Sequence, residues 1–283
     1  MLSNVALKTL RDRRRSLFWW VVGIFGYLLG IGAFYPIVKD NQGQFEALLE
    51  TYPDEFLAIM GVGSEENLFD PIGFMQAEAF GWVVPLVFAI YGTVQGARAV
   101  AGEEEDGTID LVMATSLTRL GLVWQKWLAL VLAELVLGGA VFAALAVDSV
   151  LFGVEIPVGN IAAGVLMAVL LGVFFGSLAL AVGTGTGLRG LTVGVVTFVA
   201  AGAYLLNSLG GLVEILDALQ PISPFYYYDA SNPLRYGLDV EHALVLGGLA
   251  VVFLGVGLLA VRGRDLGVGG IRLAVPTIRK ASG

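Results

Sequence analysis

The chain has 283 residues, of which 57% are hydrophobic and only 14% are charged, and its mean hydropathy is +0.82. An ordinary soluble domain carries about 25% charged residues, so this composition excludes a typical water-soluble protein and predicts that lipid surrounds most of the chain. The net charge of −8 argues against nucleic acid as a partner. The absence of cysteine excludes disulfides and Cys-ligated metals.

Six apolar segments are long enough to cross a bilayer. A helix rises 1.5 Å per residue, so about 20 apolar residues span a hydrocarbon core of roughly 30 Å. The fourth and fifth segments are separated only by GTGTGLRG, where Arg189 and the glycine cluster favour a turn. We therefore predict an all-α integral membrane protein with six transmembrane helices, over residues 17–37, 77–100, 122–150, 158–183, 190–213 and 243–262.

The basic residues predict the orientation of these spans. Lysine and arginine concentrate in the cytoplasmic loops of membrane proteins. Here all of them except Lys39 and Arg235 lie before the first span, at or between the facing ends of spans two and three, between spans four and five, or at or after the end of the sixth. Both termini are therefore predicted to be cytoplasmic, as an even number of spans requires.

The whole chain, 1–283, is predicted to form a single transmembrane domain. Its parts are an N-terminal cytoplasmic amphipathic segment (1–16), a six-span bundle (17–262), an extracellular loop (38–76), a cytoplasmic loop (101–121) and a cytoplasmic tail (263–283). The cations of the N-terminal segment suit a helix on an anionic leaflet, or they serve only to set the topology. The acidic extracellular loop suits two short amphipathic helices, which would form a gate or rest on the membrane.

The stretch AGEEEDGTIDLVMATSLTRLG, residues 101–121, predicts a short cytoplasmic helix between the second and third spans. Thr108 is suited to cap a helix that begins at Ile109, and the preceding acids favour the positive end of its dipole. Ile109, Val112 and Met113 share one face at i, i+3 and i+4, and Ser116 ends the pattern. Two turns are too few to be stable alone in water. The helix therefore needs a packing partner, unless the loop is only a solvated cap on the bundle.

This stretch resembles the coupling helix in the membrane subunits of type-2 ABC exporters. In that family the coupling helix lies between the second and third of six spans and docks into a groove on the ATP-binding subunit. The Ser-Pro-aromatic stretch PISPFYYYDASNPL, residues 221–234, is a second similarity. The resemblance implies that the residues coupling the chain to the ATP-binding subunit are Glu103, Glu104, Glu105, Asp106, Gly107, Thr108, Ile109, Val112, Met113, Ser116 and Arg119.

The chain lacks the sequence signature of an ATPase. A phosphate-binding loop requires G-x-x-x-x-G-K-[ST], and GTGTGLRG has glycines but no lysine. We therefore expect no catalytic residue and no cofactor in this chain, with ATP and Mg bound by a separate ATP-binding subunit. The resemblance implies two copies of that subunit with two permease subunits, arranged as a homodimer or as a heterodimer with a related chain.

Polar groups within the spans are candidates for a translocation path. Glu134 lies near the middle of the third span, where an ionised group costs several kcal/mol. In a functional interpretation, Glu134 is a polar point in the substrate path or in an interspan bond. In a structural interpretation, it is an acid that is protonated or bonded to a neighbouring span. By the resemblance, spans two and five line the path, which adds the candidates Tyr91, Gln95, Tyr204 and Asn207.

Two further patterns concern metal binding and helix packing. His242, the only histidine, would need Asp239 and Glu241 to form a metal site, but an interfacial cap is the simpler interpretation, so no metal site is predicted. Small-xxx-small pairs let helix backbones approach closely within a membrane. These pairs are Gly26 with Gly30, Gly172 with Gly176, and Gly190 with Gly194.

The function predicted from the sequence is that of a permease subunit of an ABC transporter in the plasma membrane of a prokaryote. It would export a small molecule, drug or lipid-like substrate. One alternative is an ion-coupled secondary transporter, which would need buried acid or histidine relays. The other is a structural membrane protein without a transport role.

Overall fold

The computed structural model describes residues 5–44, 51–53, 69–107, 118–210 and 214–262. It contains a π-helical turn, Gln76–Phe80, and a 3₁₀ turn, Gln220–Ile222. The α-helices of these ranges are α1 (Val5–Asp40), α2 (Pro71–Met75), α3 (Val83–Ala99), α4 (Ala101–Glu105), α5 (Arg119–Phe152), α6 (Val158–Thr186), α7 (Arg189–Gly210), α8 (Glu214–Asp217), α9 (Pro224–Asp229), α10 (Pro233–Tyr236) and α11 (Val240–Arg262).

Six helical runs in the described ranges are long and apolar enough to cross a membrane. They are α1, the run Pro71–Ala99, α5, α6, α7 and α11. The predicted all-α, six-span architecture is therefore confirmed, and the stretches that the structure describes contain no strand.

The first helix is longer than the predicted span. α1 has 36 residues, which corresponds to about 54 Å at the standard rise. It continues through the basic N-terminal segment because Val5, Ala6 and Thr9 face the bundle and are buried. The backbone N–H of Val5 also donates to Gln125 Oε1 on α5 at 2.6 Å.

Helix α6 forms the centre of the bundle and packs against α3, α5 and α11, while α1 lies along α5. α6 is apolar on nearly every face, which is typical of a helix surrounded by other helices. In contrast, α7 is the least buried of the six spans and exposes large side chains, among them Phe198 and Leu205.

One end of the bundle, here called the basic end, carries Arg13, Arg98, Arg119 and Arg189. A hydrophobic cluster at this end joins residues from the start of α1, the end of α3, the start of α5 and the end of α11, including Val5, Val100, Leu122 and Val261. Helix α1 therefore begins and α11 ends at the same end of the bundle. The assignment of that end to the cytoplasm stays a prediction.

The opposite end of the bundle is held by polar contacts. Asp70 caps α2 by accepting from the N–H of Gly73 at 2.6 Å, with Pro71 in the first turn. Arg235 forms an ion pair with Asp70 at 3.0 Å. Asn160 donates to the carbonyls of Leu234 and Arg235, each at 2.9 Å. The two amphipathic helices predicted in the 38–76 loop lie almost wholly outside the described residues, as do 1–4 and the tail 263–283.

Candidate functional site

The acidic segment predicted to lead into the coupling helix forms α4, directly after α3. Val100 leaves helical geometry with φ −121° and ψ −55°, which separates the two helices. After Asp106, Gly107 has φ +66°, a left-handed conformation that favours glycine. The chain therefore turns sharply just before residue 108. The predicted helix residues Thr108, Ile109, Val112, Met113 and Ser116 lie outside the described residues.

Glu103 fixes α4 to the start of α5 through an ion pair with Lys126. The Lys126 side chain is only 5% exposed, and that of Glu103 is 18% exposed. An ammonium group this deeply buried requires a partner, because an uncompensated charge in the interior costs several kcal/mol. Removing either partner is therefore expected to disturb the junction between α4 and α5.

Glu105 fixes α4 to a second span. Its Oε1 accepts a hydrogen bond from the backbone N–H of Arg189 at 2.7 Å, at the first residue of α7. The N-terminus of a helix has unpaired N–H groups and a partial positive charge, so a carboxylate is favoured there. Glu104, the acid between these two, is also buried.

Arg13 of α1 joins the same end of the bundle to α3. Its guanidinium donates to the backbone carbonyls of Gln95 at 3.3 Å and Arg98 at 3.2 Å, and to the side-chain Oε1 of Gln95. The last carbonyls of a helix lack intrahelical donors and carry partial negative charge. Arg13 thus caps the C-terminus of α3, just before the chain enters α4.

On the other side of 108–117, the chain re-enters the described structure at Thr118. The Thr118 hydroxyl accepts from the N–H of Gly121 at 3.1 Å and caps α5, which begins at Arg119. The segment 108–117 is therefore anchored at both sides. Gly107 leads back to α4, and Thr118 leads directly into α5.

The five predicted path residues fall into two groups. Tyr91, Gln95 and Glu134 are buried inside the subunit, with exposed fractions of 1%, 3% and 0%. Tyr204 and Asn207 lie on α7 and contact the segment that precedes the last span. The Tyr204 ring lies 5.4 Å from the ring of Phe225, and the Asn207 carbonyl accepts from Gln220 at 2.9 Å. Their role in translocation stays a prediction.

A glycine crossing between α3 and α6 was missed in the sequence. A Cβ placed at Gly92 would lie 2.1 Å from the carbonyl oxygen of Gly172, and one at Gly96 would lie 2.1 Å from that of Gly176. The two backbones are therefore in direct contact. Gly92 and Gly96 have the same small-xxx-small spacing as Gly172 and Gly176, so the sequence pattern could have indicated this contact.

The other predicted glycine pairs face open space. Added Cβ atoms at Gly26, Gly30, Gly190 and Gly194 would meet nothing within 4 Å among the residues that the structure describes. Within the described part of the chain, these glycines therefore mediate no close helix contact.

Two further predicted features have clear positions. GTGTGLRG forms the end of α6 and a tight turn, with Gly187 at φ +69°. His242 lies at the start of α11 against the rings of Tyr226 and Tyr227, at 5.7 and 5.4 Å. In the part of the chain that the structure describes, no three His, Cys, Asp or Glu residues form a group suited to a metal.

The fold and the basic end of the bundle define a class of protein. It is an integral membrane subunit with six apolar helices, in which the charged helix α4 is attached to several spans. A family model described as "ABC-2 family transporter protein" matches residues 3–266, and the chain belongs to that family. It is therefore a type-2 ABC transporter membrane subunit, and such subunits work with an ATP-binding subunit. No curated protein matches the chain.

Proposed function

We propose that this chain is an export permease driven by a separate ATP-binding subunit that docks at the segment between α4 and α5. The observation that carries the proposal is the attachment of α4 to two different spans, through Glu103 to α5 and through Glu105 to α7. A loop that only covered the bundle would need no such attachments.

The attachments provide a route for mechanical force. A docked subunit that moves on ATP binding would displace residues 108–117. Through Thr118 the displacement acts directly on α5, and through Glu105 it acts on the first residue of α7. Arg13 holds the end of α3 to α1, so α1 and α3 would be displaced together. The packed helices would then move as rigid bodies rather than bend.

The remaining parts of the proposal rest on the resemblance and the composition. Two permease subunits, identical or related, would combine with two ATP-binding subunits that hold ATP and Mg. The proposed setting is the plasma membrane of a prokaryote, with the basic end in the cytoplasm. The proposed cargo is a small molecule, drug or lipid-like compound, supported by the apolar lining that the spans would provide.

A charge exchange at the Glu103–Lys126 pair tests the proposal. We expect Glu103→Lys and Lys126→Glu each to remove most of the ATPase stimulation that the permease gives its reconstituted ATP-binding subunit. The double variant should restore at least half of it, because the ion pair is rebuilt in reverse. Glu155→Lys, a charge reversal at the opposite end of the bundle, is the matched control and should behave as wild type.

Membrane insertion of each variant is checked by detergent extraction and size-exclusion elution, because breaking a buried pair costs about 3–5 kcal/mol. Full stimulation in both single variants would contradict the proposal. So would a well-inserted double variant with no more stimulation than the single ones.

A further inference from the structure

Glu134 lies in a closed environment at the centre of the bundle. Its side chain is 0% exposed, and neither carboxyl oxygen has a hydrogen-bond partner among the residues that the structure describes. The carboxyl group lies against the glycine crossing. An added Cβ at Gly172 would lie 2.7 Å from Glu134 Oε2, and one at Gly92 would lie 3.0 Å from Oε1.

An ionised carboxylate is poorly suited to this place. A buried carboxylate without a donor is far more costly than the neutral acid, which has no net charge to desolvate. The charged and titratable groups that face this region are Arg13 from α1, Tyr91 from α3 and Lys126 from α5, while α6 presents glycine backbone. Arg13 is held by the end of α3 and Lys126 by Glu103, so neither cation pairs with Glu134.

A small cavity lies between this region and the basic end, and Glu134 is not among the residues that line it. It is bordered by α1, α3 and α5, and its polar lining consists of Thr9, Arg13, Tyr91, Gln95 and Lys126. Its volume of about 10 Å³ is close to the minimum that one water molecule requires. Ala133, the neighbour of Glu134 in the chain, is one of the lining residues. Tyr91 lies within electrostatic range of both Arg13 and Glu134.

We propose that Glu134 is a proton-binding site in exchange with the basic end through this cavity. The proton would pass between the Glu134 carboxyl oxygen and a water molecule that enters from the cavity beside Tyr91, because Tyr91 lines the cavity and Glu134 does not. Release leaves a carboxylate on Glu134 and a hydronium ion that leaves toward the basic end. The transport cycle proposed above uses no proton, so this site is an addition to it.

Proton binding would be linked to the packing of α3 on α6. The neutral acid fits into the glycine crossing, whereas a carboxylate needs water or a donor. Deprotonation would therefore favour separation of the two helices, and protonation would favour the closed crossing seen here.

Infrared spectroscopy of the full chain in lipid nanodiscs tests this proposal. The wild-type protein should show the carbonyl band of a protonated carboxylic acid near neutral pH, and Glu134→Gln should lack it. The isosteric amide mimics the protonated acid, so its fold should be kept. Asp148→Asn removes a second buried carboxyl group, which lies against Gly32, and should retain the Glu134 band.

Transfer to D₂O separates a proton-binding site from a sealed acid. The Glu134 band should shift within minutes, as the proton exchanges through the cavity. Absence of any band that depends on Glu134, from acidic to weakly alkaline pH, would overturn the proposal because the group would then be ionised. A band that persists unshifted after hours, while exposed amides exchange, would also overturn it. These readouts need no ATP-binding subunit, so they are independent of the proposed transport function.

Discussion

Gly92 and Gly172 bring the backbones of α3 and α6 into contact, and the Glu134 carboxyl occupies the adjacent space. In a membrane there is little hydrophobic drive between helices, so close packing provides much of the stabilisation. A side chain at Gly92 would meet the Gly172 carbonyl and force the helices apart, whereas one at Gly172 would meet the Glu134 carboxyl group. Only glycine therefore fits at these two positions without displacing a neighbour.

We expect Gly92→Ala to lower the free energy of unfolding by about 1–3 kcal/mol, because its methyl group would lie 2.1 Å from a backbone oxygen. The matched control is Gly139→Ala on α5, where an added Cβ meets no described residue within 4 Å. It should be neutral or slightly stabilising, since alanine is the better helix former. Thermal unfolding in detergent measures both, and equal melting temperatures would contradict the close contact.

Asp229, outside the spans, predicts a pH dependence. Burial raises the pKa of Asp229 to about 6, and the hydrogen bond that Gln76 donates to it at 2.6 Å opposes the shift. An unfolded aspartate has a pKa of about 3.9, so the folded chain binds this proton more tightly and loses stability as the pH rises through about 6.

The melting temperature of the wild type should therefore include a fall between about pH 4 and pH 7 that is smaller in Asp229→Asn. The variant keeps the acceptor for Gln76 but does not titrate. An identical pH profile for the two proteins would contradict the raised pKa.

At the scale of elements, the run Pro71–Ala99 is interrupted before α3. Pro85 has no N–H for the carbonyl of Gly81, four residues earlier, and its ring crowds that turn. Trp82 has non-helical angles, φ −147° and ψ −50°. The adjacent π turn is joined to other helices by tyrosine hydroxyls: Tyr27 of α1 donates to Glu78 O at 2.6 Å, and Tyr228 of α9 donates to Phe80 O at 2.8 Å.

We expect Tyr228→Phe to destabilise the chain by about 1–3 kcal/mol, because the buried Phe80 carbonyl would lose its donor. Tyr27→Phe should have a smaller effect, since its hydrogen bond is exposed. Hydrogen exchange in 76–82, together with melting temperature, measures the difference. An effect of Tyr27→Phe as large as that of Tyr228→Phe would contradict this account of the turn.

The sequence predicted these elements unevenly, for physical reasons. Hydropathy and length determine how many helices cross a bilayer, so all six spans were found. Composition could not show that α1 begins at Val5, because arginines on its exposed faces conceal a buried stripe. Pro85 could have indicated the break before α3. The contacts of Glu103, Glu105 and Arg13 join residues more than twenty positions apart, and no local pattern encodes them.

At the scale of the whole molecule, the basic end is where α1 starts, α3 ends, α5 and α7 start, and α11 ends. Four of these helices are joined there by side chains: α1 to α3 through Arg13, and α5 and α7 to α4 through Glu103 and Glu105. A subunit that pushed on this end would act on several spans at once. This arrangement is consistent with the proposed docking of a separate ATP-binding subunit.

The most direct test of this account is site-specific cross-linking, which is clean because the chain has no native cysteine. A photo-cross-linker on Met113→Cys should capture the ATP-binding subunit in native membranes, with a yield that changes when ATP is added. The same label on Leu238→Cys, an exposed position at the opposite end, should capture none. The account would be contradicted if the Met113 label never captured an ATP-binding subunit and the purified chain alone transported its cargo.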